Sequence, residues 1–198
     1  MQSRPPSRIV PQFREWLKRL GSESGVDSWI FRRGMFFNDR IEWWGAECRR
    51  RTLHEGIDFA EVLLPDGTAH HVPEGMPVHA LAQGEIVAFL DDFLNKTIVV
   101  RHPTVRNENG DIFYTLFSHI NPTSQTPGPV IKGQILGNVG KSKKVGAPAH
   151  LHLTGAWIPE SIAADQISVD LIHPAFMPIV LINFNSLISG QSAVGSQH

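Results

Sequence analysis

The sequence predicts a mainly β protein, antiparallel sheets with one short helix near the N-terminus, and three observations carry that expectation. Runs rich in β-branched and aromatic residues, Val78–Phe89, Lys96–His102 and Ile112–Ile120, are separated by Gly, Asn, Asp and Pro. Gly84, residues 107–110, Gly128, Gly133, Gly137 and Gly140 punctuate this region at short intervals, with no long helical period between them, which disfavours a βαβ arrangement. The helical pattern is confined to the start, where Phe13, Trp16, Leu17 and Leu20 fall on one stripe.

Taken in order, Met1–Ser7 is polar with two prolines and reads as a loose arm. Pro11–Leu20 forms the amphipathic helix, with Pro11 suited to its first turn and Gly21 to its end. Residues 22–51 mix Trp29, Phe31, Phe36, Phe37, Trp43 and Trp44 with arginines, a texture expected of irregular chain anchored by its aromatics on a larger domain. The β texture begins after His54. Met177–Ile188 is expected to add a strand that closes an edge, and Ser189–His198 is a polar tail. The chain thus divides into an extension (1–51), a β domain (52–178) and a terminal strand with its tail (179–198), without internal repeats.

With 198 residues, 41% hydrophobic and 19% charged, the chain can bury the core of one soluble globular domain with some extra length. Net charge is −1, yet residues 1–51 carry 11 Lys/Arg against 6 Asp/Glu while the rest carries 7 against 13. We read the basic front as a solvated charged face and expect no nucleic-acid partner; the turn Lys141-Ser-Lys-Lys144 is read the same way. Cys48 is the single cysteine, so neither an intrachain disulfide nor a Cys-based zinc finger can form. Met1–Ile30 has no apolar run of the secretory type, and no stretch of eighteen apolar residues predicts a transmembrane segment. Oligomeric state leaves no mark in the sequence.

Two strings carry the chemistry: His54-Glu-Gly-Ile-Asp58 and His150-Leu-His152. A hydrolytic zinc site takes three protein ligands from His, Asp, Glu and Cys and keeps a fourth position open for water or substrate, a set that two His and one Asp supply. On a strand, alternation turns His150 and His152 to one face and Leu151 and Leu153 to the other. An extended His54–Asp58 segment with a tight turn at Gly56 brings both of its end residues onto one metal, and His119 ends a neighbouring apolar strand. His70, His71, His79, His102, His173 and His198 are expected to be structural.

These residues come in the order and spacing of a known family. The chain resembles the M23 metallopeptidases, peptidoglycan endopeptidases of the lysostaphin and LytM type, over about residues 52–176. The matching elements are His54-Glu-Gly-Ile-Asp58, the stretch from Gly75-Met-Pro-Val to Val87, Val99-Val-Arg-His102, Phe117-Ser-His119-Ile, the stretch from Val130 to Gly140, and Pro148-Ala-His150-Leu-His152. The resemblance implies the LytM type of β fold, Zn²⁺ as cofactor, His54, Asp58 and His152 as its ligands, and His119 and His150 as catalytic histidines. One of this pair would move the proton of the attacking water and the other would steady the oxyanion, in either assignment. It also implies peptidoglycan peptides as substrate and a cell-envelope location.

The chain departs from the family in places. Phe117 stands where many relatives have Tyr, Gly75-Met-Pro-Val replaces Gly-Thr-Pro-Val, Glu61–Glu74 reads as a longer loop than usual, and residues 1–51 match no family motif. Partial deletion within 1–51 is therefore expected to spare metal binding. Some LytM-like scaffolds have lost ligands and regulate other wall hydrolases, but the intact ligand set here favours the enzyme. A cupin-like iron or manganese site is disfavoured because Leu153, Thr154, Gly155 and Ala156 follow His152, with no acid before Glu160.

Overall fold

The computed structural model describes residues 3–22, 25–45, 48–143, 146–172 and 178–188. Helix α1 (Ile9–Ser22) buries Phe13, Trp16, Leu17 and Leu20, the stripe read from the sequence. Trp16 packs edge-on against Phe59 and donates its indole N–H to the His79 carbonyl at 2.8 Å, while Phe13 stacks on Phe184. Each such ring, once buried, contributes about 1.5–3 kcal/mol, so the helix is fastened to the β body by its side chains.

Four short strands follow: β1 (Ser28–Ile30), β2 (Ile57–Phe59), β3 (Glu61–Leu63) and β4 (Ala69–His71). Strands β1, β3 and β4 form a small antiparallel sheet in that order. The segment expected as a long loop is therefore a hairpin. Asp66 accepts from the Thr68 N–H at 2.9 Å and Gly67 takes φ 83°, the turn chemistry that a Pro-Asp-Gly sequence encodes.

The larger sheet contains β2 with β5 (Pro77–His79), β6 (Gly84–Asp91), β7 (Lys96–Arg106), β8 (Ile112–Pro122), β9 (Gly128–Val130), β10 (Ile135–Val139), β11 (Leu151–Ile158) and β12 (Val180–Leu181). Its main path runs β12-β11-β8-β7-β6-β9, with β10 paired to β5 and β8, and β2 paired to β11. All of these pairings are antiparallel. Val78–Phe89, one run in the sequence, breaks at residues 80–83 so that β5 and β6 join different partners. A short helix, α2 (Val169–Ile172), precedes β12, and residues 173–177 and 189–198, with His173, His198 and the tail, lie outside the described residues.

Strand alternation sorts the core onto two faces. Ile98, Val100, Phe113, Phe117, Leu151 and Leu153 enter one apolar cluster, while Val99, Ile112, Tyr114, Leu116, Ala156 and Ile158 enter another. His102, fully buried, serves this packing: its ring bonds the Gln83 carbonyl at 2.8 Å and Thr115 Oγ1 at 2.9 Å, and burial pushes its pKa down to about 4. His70 and His71 are exposed on β4. No helix among the described residues is long and apolar enough to cross a membrane.

Candidate functional site

Register brings the distant motifs together. In the β2-β11-β8 run, His152 is paired with Asp58 on one side and with Ser118 on the other. His54 reaches the same place by the bend at Gly56, where a side chain has no room: a Cβ there would lie on the Leu153 carbonyl oxygen and 2.7 Å from His152 Nε2. The outcome is a buried trio. His54 Nε2 lies 3.2 Å from Asp58 Oδ1 and 3.0 Å from His152 Nδ1, and His152 Nδ1 lies 2.7 Å from Asp58 Oδ1.

Hydrogen bonds behind the rings fix which nitrogen is offered. His54 Nδ1–H donates to the Phe36 carbonyl at 2.9 Å, so its Nε2 carries the lone pair. His152 Nε2 bonds Thr154 Oγ1 at 2.8 Å, which leaves Nδ1 facing the trio. The three donor atoms belong to one group that could hold a metal ion, with all donors within 4.8 Å of one another. Ligand atoms on a tetrahedral zinc stand about 3.3–3.6 Å apart, so an ion fits here with small outward shifts of the donors. Burial would raise the Asp58 pKa, but the His54 and His150 imidazoles, with the close approach of His152 and His54 to the carboxylate, hold it well below the usual carboxylate range. The site thus offers an ionised carboxylate and two imidazole lone pairs, the form a divalent cation requires.

His119 reaches the site through a break in the β ladder. Between Lys96 paired with Ile120 and Ile98 paired with Phe117, strand β8 has one residue more than β7, and His119 takes φ 67°. Such a bulge re-aims a side chain, here to a ring 4.7 Å from His150 and 5.8 Å from His152. Asp92 holds it: Oδ2 accepts the His119 backbone N–H and Oδ1 accepts Nδ1–H, both at 3.0 Å. The same carboxylate accepts from the Leu94 and Asn95 backbone N–H groups at 2.9 and 2.6 Å and from Thr97 Oγ1 at 2.9 Å. Burial raises the Asp92 pKa, and its bonds to His119 and Asn95 more than reverse that, so Asp92 stays ionised.

His150 completes the cluster. Its Nδ1–H donates to the Pro148 carbonyl at 2.9 Å, leaving a buried Nε2 without a hydrogen-bond partner among the described residues, 3.7 Å from Asp58 Oδ1. Burial pushes its pKa down to about 3, with Asp58 opposing and His119 reinforcing the shift, so the ring is neutral in the resting site. Phe117 is buried in the core instead of facing the cluster, and Tyr114 lies in the other apolar group. Trp44, Phe93, Leu116 and Ile172 give the pocket apolar walls, and an adjoining cleft leads past Trp44 and Phe93 to Arg49, Arg51 and Lys143.

The sequence model of peptidase family M23 matches residues 52–157, which contain every residue of this cluster. The chain belongs to peptidase family M23. Among solved structures, this M23 chain is similar to the catalytic domain of the antimicrobial peptidase lysostaphin from Staphylococcus simulans, at 17% identity over 77% of this chain and 90% of that one, with a TM-score of 0.46. It is similar to LytU at 16% identity over 81% and 89% of the two chains, TM-score 0.46. It also matches the solution structure of lysostaphin at 22% identity and TM-score 0.39, over 56% of this chain and 40% of that one, and so spans less than half of that relative's length. No curated protein matches the chain.

Proposed function

We propose that this M23 protein is a zinc-dependent endopeptidase that hydrolyses peptide bonds of bacterial peptidoglycan, in stem peptides or cross-bridges, and works in the cell envelope. The observation that carries the reading is the convergence of four imidazoles and one carboxylate, each ring tied from behind so that its free nitrogen points inward. In this reading His54 Nε2, Asp58 Oδ1 and His152 Nδ1 hold the ion. Zinc bound there supplies a Lewis acid that polarises the scissile carbonyl and makes water acidic enough to attack near neutral pH.

The remaining chemistry belongs to the side chains. His119 Nε2 and His150 Nε2 share two duties: one receives the proton of the attacking water and passes it to the leaving amine nitrogen, and the other, once protonated, donates to the developing oxyanion. The apolar walls exclude bulk water and strengthen both interactions. Arg49, Arg51 and Lys143 along the cleft suit the free carboxylates that stem peptides carry.

Asp92 acts through His119, as a positioning residue. Asp92→Asn presents an amide where Nδ1–H needs an acceptor, which favours the wrong tautomer. We expect kcat to fall about 10²-fold with KM and zinc content unchanged, measured by steady-state kinetics with metal analysis; kcat within twofold of wild type would remove that role.

The function is tested by incubating zinc-loaded and metal-free protein with defined muropeptides and analysing products by mass spectrometry. The expected result is cleavage of one peptide bond, with gain of one water, by the loaded protein alone. Fully loaded protein that leaves every muropeptide intact would instead mark a scaffold that regulates other wall hydrolases.

A further inference from the structure

We infer that the segment from Gly34 to Arg50, outside the residues that match the family, is the outer sphere of the metal site and sets its affinity for zinc. Deletions within 1–51 are accordingly expected to spare metal binding only outside this segment. The inference rests on the reading of His54, Asp58 and His152 as ligands. Asp58 has two oxygens, and only Oδ1 faces the other two donors. Oδ2 is held from the opposite side, by the Trp43 indole N–H at 2.7 Å and by Arg50 Nη2 at 3.4 Å. With Oδ2 engaged, the carboxylate cannot swing, and a single oxygen is offered to the ion. His54 is oriented from the same segment, since the acceptor of its Nδ1–H is the Phe36 carbonyl.

The segment is built to hold these three contacts. Its backbone clamps the first motif: the Asp58 N–H donates to the Met35 carbonyl at 2.9 Å, the Asn38 N–H to the His54 carbonyl at 2.8 Å, and the His54 N–H to the Asp39 carbonyl at 3.0 Å. Asp39 Oδ2 accepts the Gly34 N–H at 2.6 Å, tying off the loop. Gly34, at φ 95°, passes so near the Trp43 backbone that a Cβ would sit 2.6 Å from its nitrogen. Arg50 joins the ends of the loop, donating to the Gly34 carbonyl at 2.9 Å and the Ile41 carbonyl at 3.0 Å while lying over the Trp44 ring. Trp43 and Trp44 also flank His150, with ring centroids 5.2 and 5.5 Å away.

Groups that orient metal ligands change affinity about 10–100-fold when removed. The test is the zinc dissociation constant of the full chain, measured by competition with a chromophoric chelator. Trp43→Phe keeps an aromatic ring, though a smaller one, and deletes the N–H, and Arg50→Met deletes the guanidinium while keeping much of its length. The expected result is one zinc per chain in the wild type and binding weaker by about 10-fold or more in Trp43→Phe, with Arg50→Met weakened in the same direction and circular dichroism of both metal-free variants unchanged. A wild type that binds no zinc at this site would remove the ligand assignment itself. A wild type that binds zinc, with both variants within twofold of it, would overturn the outer-sphere inference alone.

Discussion

His54→Ala and Asp58→Ala are each expected to abolish zinc retention and peptidase activity together. Both side chains are almost completely buried and each supplies one of the three donors, so removing either leaves an incomplete ligand set. Asp58→Ala has a second cost. It leaves the Trp43 indole N–H facing a vacancy, at about 1–3 kcal/mol for a donor left without an acceptor, while Arg50 Nη2 keeps the Gly34 carbonyl. Asp58→Asn separates the two effects, because its amide oxygen can still accept from Trp43 while its charge is gone. Metal content by atomic absorption alongside circular dichroism is the check, and a folded Ala variant with full zinc occupancy would contradict the assignment.

His119→Ala and His150→Ala are expected to leave zinc bound and slow turnover by about 10²–10⁴-fold, the range for lost acid–base help. Neither ring belongs to the three-donor group, and both lie beside it, the His119 ring 5.8 Å from that of His152 and His150 Nε2 3.7 Å from Asp58 Oδ1. His119 holds a left-handed backbone conformation, which alanine, like histidine, adopts against its Cβ. His119→Asn is the cleaner variant, since asparagine tolerates that conformation and offers no base. Steady-state rates with zinc content measured on the same samples decide the matter; unchanged rates would remove these residues from the chemistry.

What the sequence revealed was local. Antiparallel β structure followed from β-branched runs broken by glycine, and strand alternation correctly sent Leu151 and Leu153 to the core and His150 and His152 to the cluster. Elements that depend on partners were harder to read. The bulge at His119 exists only as a mismatch between β7 and β8, and nothing in Phe117-Ser-His-Ile120 announces it. Asp92 carries the spacing of a turn-capping residue, accepting from residues two and three ahead, but its service to His119 arises only when the β6–β7 turn meets β8. Trp43 and Arg50 read as an anchoring aromatic and a solvated charge because irregular chain gives no period from which to infer a face. The Glu61–Glu74 hairpin was legible in principle, since Pro65-Asp66-Gly67 is a turn signal between two short apolar segments.

Crystals grown with zinc and measured on both sides of its absorption edge test the central claim most directly. The account predicts one anomalous peak per chain bounded by His54 Nε2, Asp58 Oδ1 and His152 Nδ1, about 2.0–2.2 Å from each. Zinc found elsewhere on the protein, with these three atoms turned apart, would contradict it.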